Sequence, residues 1–170
     1  GVIYAATFGG GVATLRVGAG ETTWRVYRTD NSNLPNNDVY GIYESGGVIY
    51  AATYGGVATL DVGAGATIWT VYNTSNSNFP NNGVWDVYES GGVIYAATYG
   101  GVATLDVGAG ATIWTVYNTS NSNLPINDVR GVYESDGVIY AATFDGGLAT
   151  LDVAAGATTW TVYDTSNSRT

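Results

Sequence analysis

The sequence predicts an all-β fold, a β-propeller of about four blades, each of about 45 residues and four strands. Three observations carry this expectation. The phrase Gly-Val-Ile-Tyr-Ala-Ala-Thr occurs four times, starting at Gly1, Gly47, Gly92 and Gly137, which spaces the copies by 46, 45 and 45 residues (47−1, 92−47, 137−92). A period of about 40–45 residues is the range of four-stranded propeller blades. Each copy also breaks at Gly-rich turns into short runs of β-branched and aromatic residues, and no window carries a helical period. A β-solenoid is the structural alternative, but its coils are usually shorter. The chain reads as one repeat domain, 1–170, with copies 1–46, 47–91, 92–136 and 137–170.

The strands can be justified in order within one copy. Residues 37–45 (NDVYGIYES) end at Gly46-Gly47, where glycine supplies the positive φ of a hairpin turn without steric cost. Residues 47–54 (GVIYAATY) are β-branched and aromatic. Residues 56–62 alternate Val57, Thr59 and Asp61 against Ala58, Leu60 and Val62. Residues 66–73 (ATIWTVYN) follow a Gly-Ala-Gly turn. Trp24, Trp69, Trp114 and Trp160 hold one equivalent position, and each is expected to seat its strand against the neighbouring blade.

Composition restricts the function. The chain has no His, Cys, Met, Lys or Gln, and 14 acids against five arginines give a net charge of −9. That balance opposes nucleic acid and anionic membrane surfaces, which need basic patches. No apolar run approaches the ~18 residues of a spanning helix, so no membrane insertion is expected. A Lys-free chain rich in Gly, Thr, Asn, Ser and Tyr suits an extracellular or cell-surface location. It opens without Met or a leader segment, as a processed form or a part of a longer chain does.

Residues 34–56 (LPNNDVYGIYESGGVIYAATYGG) resemble the two-component-regulator propeller repeat. The match runs through Leu34-Pro35, Val39, Ile42, Glu44, Gly47, Tyr50, Thr53 and Gly55-Gly56, and recurs from Phe79-Pro80 and from Leu124-Pro125. The resemblance implies a WD40-like propeller, extracytoplasmic, in the family often part of a sensor for oligosaccharides. It also implies a strand order in which the strand after Leu-Pro, here A, is innermost and B, C and D follow outward. The chain then reads BCD, ABCD, ABCD, ABCD, so the first blade lacks its inner strand. An open B edge invites pairing with another chain.

Comparing the copies isolates candidate residues. Arg16, Arg25 and Arg28 replace Asp, Thr and Asn or Asp of later copies, and Arg169 lies at the other end. A basic first blade facing an acidic last blade, with Asp152 and Asp164, predicts head-to-tail self-assembly into an oligomer or filament. The second residue of the A strand varies most, as Tyr40, Trp85 and Arg130, and Asp86 replaces Gly41 and Gly131. These four form the expected ligand-binding set, with carbohydrate as the ligand. Asn73-Thr74-Ser75 and Asn118-Thr119-Ser120 fit the N-glycosylation acceptor pattern. Glu44, Glu89 and Glu134 recur at the A–B turn, as backbone caps do. Without His, Cys or Lys, no serine–histidine pair, thiol nucleophile, Schiff base or His-bound zinc can form, so no enzyme and no cofactor is expected. Asp30, Asn31 and Asn33 lack the full spacing of a calcium loop, and no metal is expected.

Overall fold

A computed structural model describes residues 1–167. Among the described residues, fifteen strands form four antiparallel sheets, the blades. Blade one holds β1 (Val2–Thr7), β2 (Gly11–Arg16) and β3 (Arg25–Tyr27), with a short 3-10 turn over Val17–Ala19. Blade two holds β4 (Val39–Ser45), β5 (Val48–Thr53), β6 (Gly56–Asp61) and β7 (Thr70–Tyr72). Blade three holds β8 (Val84–Ser90), β9 (Val93–Thr98), β10 (Gly101–Asp106) and β11 (Thr115–Tyr117). Blade four holds β12 (Val129–Ser135), β13 (Val138–Thr143), β14 (Gly147–Asp152) and β15 (Thr161–Tyr163). Each sheet is a meander in chain order, and the first has three strands, B, C and D.

Local chemistry sets these boundaries. Gly46 and Gly47 have φ of 58° and 86°, the paired left-handed geometry that matches strand twist in a two-residue hairpin. The side chains of Glu44, Glu89 and Glu134 accept from the backbone N–H of Gly47, Gly92 and Gly137 at 2.9, 2.7 and 2.7 Å, capping the turns as their recurrence implies. The D strands are shorter than the expected 66–73. Asp61 accounts for this, because its side chain accepts from the Ala64 N–H and its carbonyl from the Ala66 N–H, winding residues 62–66 into a turn.

The core lies between blades. Blade two offers Tyr50, Ala52, Val57 and Tyr72, and blade three lays Ile94, Ala96, Leu105 and Trp114 against them. The same residue types meet at the other two joints. At each joint a tryptophan edge meets the D-strand tyrosine of the preceding blade: Tyr27–Trp69 at 5.6 Å, Tyr72–Trp114 at 5.5 Å and Tyr117–Trp160 at 5.9 Å. An asparagine clamps each of these tryptophans through the backbone. Asn78 Nδ2 donates to the Trp114 carbonyl at 2.8 Å, and its Oδ1 accepts from the Trp114 N–H at 2.9 Å. Asn33 and Asn123 do the same for Trp69 and Trp160.

Trp24 departs from the expectation for its position. It is 42% exposed, against 2% for Trp69 and Trp114. The cause is its place on the outer face of blade one, where no tyrosine-bearing blade packs among the described residues.

Candidate functional site

Neighbouring A strands approach one another around the propeller axis. Tyr43, Tyr88 and Tyr133 stack in a ladder with ring centroids 4.8 Å apart at both steps. Burial, then hydrogen bonding with Tyr133 and Tyr43, pushes the Tyr88 phenol up to about 12.

At the other end of these strands lies a bulge. Pairing shifts by one residue between Val39 and Gly41, between Val84 and Asp86, and between Val129 and Gly131. The extra residues are Tyr40, Trp85 and Arg130, the three that vary most between copies. A bulge bends a strand and re-aims the unpaired side chain. Here it gathers all three into one row. Tyr40 and Trp85 lie 4.6 Å apart, and the Arg130 guanidinium sits 3.9 Å from the Trp85 ring centre. Aromatic residues of the B–C turns flank them: Phe8 beside Tyr40, Tyr99 beside Trp85, and Phe144 beside Arg130. Asp128 grips Arg130 through two hydrogen bonds of 2.7 Å, which raise the guanidinium pKa and leave the pair with little net charge. Trp85 Nε1 is buried and has no hydrogen-bond partner.

Asp86 sits behind this row. Its Oδ1 accepts from its neighbour Val87 N–H at 3.0 Å and its Oδ2 from Val132 N–H of blade four at 3.2 Å. Burial nevertheless raises its pKa, against the lowering effect of those two donors. The exchange of Gly41 for Asp86 between copies has a steric side. A Cβ on Gly41 would stand 3.1 Å from the Asp86 carboxylate and 3.2 Å from the Trp85 carbonyl, so the acid and its glycine neighbour go together.

The charged residues expected at a head-to-tail contact are placed differently. Arg16 and Arg25 line the groove between blades one and two, with Glu21 and Val62 nearby. Arg25 stands 5.2 Å from the Tyr27 ring centre. Asp152 lines the open face of blade four, with Tyr140 and Tyr163. Arg16 and Asp152 thus occupy the same kind of face, the one turned toward the following blade, and cannot oppose each other in a head-to-tail contact. Arg28 is exposed and donates through Nε to the Gly10 carbonyl. Asp164 holds Ser166 through its side chain, and those hydrogen bonds lower its pKa. Arg169 lies outside the described residues.

Asn73 and Asn118 are half-buried at the start of the D–A links. Their Oδ1 atoms accept from the N–H and hydroxyl of Ser75 and Ser120. Asn31 and Asn33 spend their side-chain oxygens on the Arg28 and Trp69 N–H groups. Among the described residues no three His, Cys, Asp or Glu side chains gather as a metal group.

Sequence reasoning missed the asparagine clamps, the tyrosine ladder and the bulge. Only the copy-to-copy variation at Tyr40, Trp85 and Arg130 hinted at the last.

Axial A strands, rim D strands and tryptophan-sealed joints define a β-propeller. Residues 55–170 match the family of the outer membrane protein assembly factor BamB, and the chain belongs to that propeller family. Among curated proteins nothing matches. Among solved structures, the chain is similar to the extracellular domain of a hybrid two-component system from B. thetaiotaomicron, with a TM-score of 0.78 and 22% identity. That match covers 97% of this chain and 23% of the other. A one-component system from the same organism matches at a TM-score of 0.74 and 18% identity, over 94% of this chain and 23% of the other. PorZ, a surface component of the type-IX secretion system of Porphyromonas gingivalis, matches at 0.64 and 19% identity, over 95% and 20%. The chain therefore spans about a quarter or less of each of these three proteins, and the likeness is one of fold.

Proposed function

We propose that this chain is a non-catalytic, extracellular structural propeller that assembles with copies of itself head to tail, the outer face of blade one meeting the open face of blade four. One observation carries the reading. Three joints each bury a tryptophan against a tyrosine, and the fourth members of both sets, Trp24 and Tyr163, are exposed on opposite ends. Their surroundings match as well. Ile3 is 46% exposed where Ile49, Ile94 and Ile139 are 1% exposed, and Leu148 stands open where Val57 and Val102 are sealed. The chemistry that joins blades within the chain is thus available between chains. A contact of this kind is heterologous, so it closes a ring or grows a filament. Four apolar side chains at roughly 1.5–3 kcal/mol each act against an association cost of about 4–15 kcal/mol, which favours a reversible assembly. Extracellular placement is supported by the Lys-free composition and by the extracellular domains among the structural neighbours. Among the described residues no helix is long and apolar enough to cross a membrane. Sedimentation tests the assembly: the wild type gains mass with concentration, and Trp24→Asp stays monomeric. A wild type that sediments as a monomer at every concentration rejects it.

The bulged row favours a second reading, a ligand-binding propeller module for a glycan. Tyr40, Trp85, Tyr99 and Phe144 form an aromatic row suited to stacking on sugar C–H surfaces. A fluorescence titration with soluble oligosaccharides decides it, since a saturable response abolished by Trp85→Ala supports binding and a flat response removes it.

A further inference from the structure

The groove between blades one and two carries an arginine pair that the equivalent grooves lack, and we infer that it binds the anionic group of a small phosphate or sulfate ester. Its volume is about 380 Å³, within the ~300–1,000 Å³ of small-molecule sites. Arg16, Arg25, Tyr4 and Tyr27 on blade one line it, with Ile49 and Val62 of blade two. Grooves of the same kind lie at the two joints between four-stranded blades. B, C and D strands build all three, so the groove does not depend on the inner edge of blade one.

Charge is what differs between the joints. Where blade two presents Asp61, Ala66 and Thr70, blade one presents Arg16, Glu21 and Arg25. The first groove thus holds two cations against one acid, and the second an acid and no cation. Strand register brings the two arginines together. Arg25 pairs with Thr14, so Arg16, two residues along β2, is its diagonal neighbour on the same face of the sheet. Such neighbours stand about 7–8 Å apart, near enough for two long side chains to converge on one tetrahedral anion. Arg25 is held over the Tyr27 ring, 5.2 Å from its centre. Among the described residues neither arginine forms an ion pair, with Glu21 or with any other acid.

An oxyanion answers this arrangement. Guanidinium bonds to phosphate or sulfate oxygens are charge-assisted and strong, and an anion between two like charges removes their repulsion. Tyr4 adds a neutral donor. Burial, and then the Glu44 carboxylate, raises its pKa, so the phenol keeps its proton at neutral pH. The net charge of −9 repels long polyanions, so the fitting partner is a small molecule. The groove faces blade two, away from the exposed Trp24, and stands whether or not the chain assembles.

The probes are glucose phosphate, glucose sulfate and free glucose, titrated by calorimetry at low salt. At least one ester is expected to saturate one-to-one, and the tighter of the two identifies the group. Free glucose should give no such response, and added salt should weaken the ester. The double variant Arg16→Asp, Arg25→Thr carries the residues of the second groove, and it should bind at least about tenfold more weakly. Its urea midpoint checks that it folds. Arg25→Thr alone should weaken binding, whereas Arg28→Asn, which removes the same single charge outside the groove, should bind like the wild type. Absence of saturation with both esters by folded protein overturns the inference. So does equal binding of free glucose, equal binding by the double variant, or an equal loss in Arg28→Asn and Arg25→Thr.

Discussion

Replacing the equivalent tryptophans one at a time gives a graded prediction. Trp114 is 2% exposed and meets Tyr72 edge-on at 5.5 Å, whereas Trp24 is 42% exposed. The difference in exposure is 42 − 2, or 40% of the residue surface. For a tryptophan of roughly 250 Å² that is about 100 Å², or about 2.5 kcal/mol at ~25 cal/mol per Å². The tyrosine contact adds about 0.5–1.5 kcal/mol. Trp114→Ala should therefore cost about 3–5 kcal/mol, as large-to-small core changes do, and Trp24→Ala only about 1 kcal/mol. Urea denaturation at dilute protein, followed by circular dichroism, measures both. Dilution matters because assembly stabilises a folded chain by mass action. At high concentration the wild type should gain stability, and Trp24→Ala should not. Equal losses for the two variants in dilute solution would refute the reasoning, since Trp24 would then already be covered within a single chain.

Other outcomes follow from the same geometry. Asn78→Ala removes both backbone bonds of the Trp114 clamp and should cost about 1–3 kcal/mol, read from the urea midpoint. Asp86 has its pKa raised by burial, so the folded state holds its proton more tightly than the unfolded state does. Its contribution is fully present below the ordinary carboxylate value and is lost as pH rises through the folded value; Asp86→Asn should remove that slope from the pH–stability curve. The Tyr50, Tyr88 and Tyr95 phenols are pushed up to about 12, mainly by burial. Folded protein should show delayed phenolate absorbance, and stability should fall as pH climbs above the ordinary tyrosine value of 10.0. A joint built on apolar contacts between copies of net charge −9 should strengthen with added salt, which screens their repulsion. Dissociation by salt would point instead to an ion-paired joint.

Much of the fold is legible in the sequence because each blade repeats one solution. The period, the glycine turns and the glutamate caps follow from local signals, and the three-stranded first blade follows from the strand order that the family resemblance implies. What escapes is what depends on partners in another blade. Trp24 reads like Trp69 because burial is supplied by the preceding blade, not by the tryptophan's own segment. Arg16 and Arg25 read as an end patch because sequence gives their copy but not their face. The clamp of Asn78 on Trp114 joins residues 36 apart, and Asn78 alone looks like an ordinary link residue. Tyr40, Trp85 and Arg130 stand out by variation, yet only the bulge explains how they reach one another.

The most direct test of the end-to-end account is mass against concentration by light scattering, with electron micrographs of the same samples. The account predicts mass that rises with concentration, rings or filaments in the micrographs, and loss of both in Trp24→Asp and in Tyr163→Asp. A wild-type chain that keeps its monomer mass over the whole range, in low and high salt alike, contradicts it.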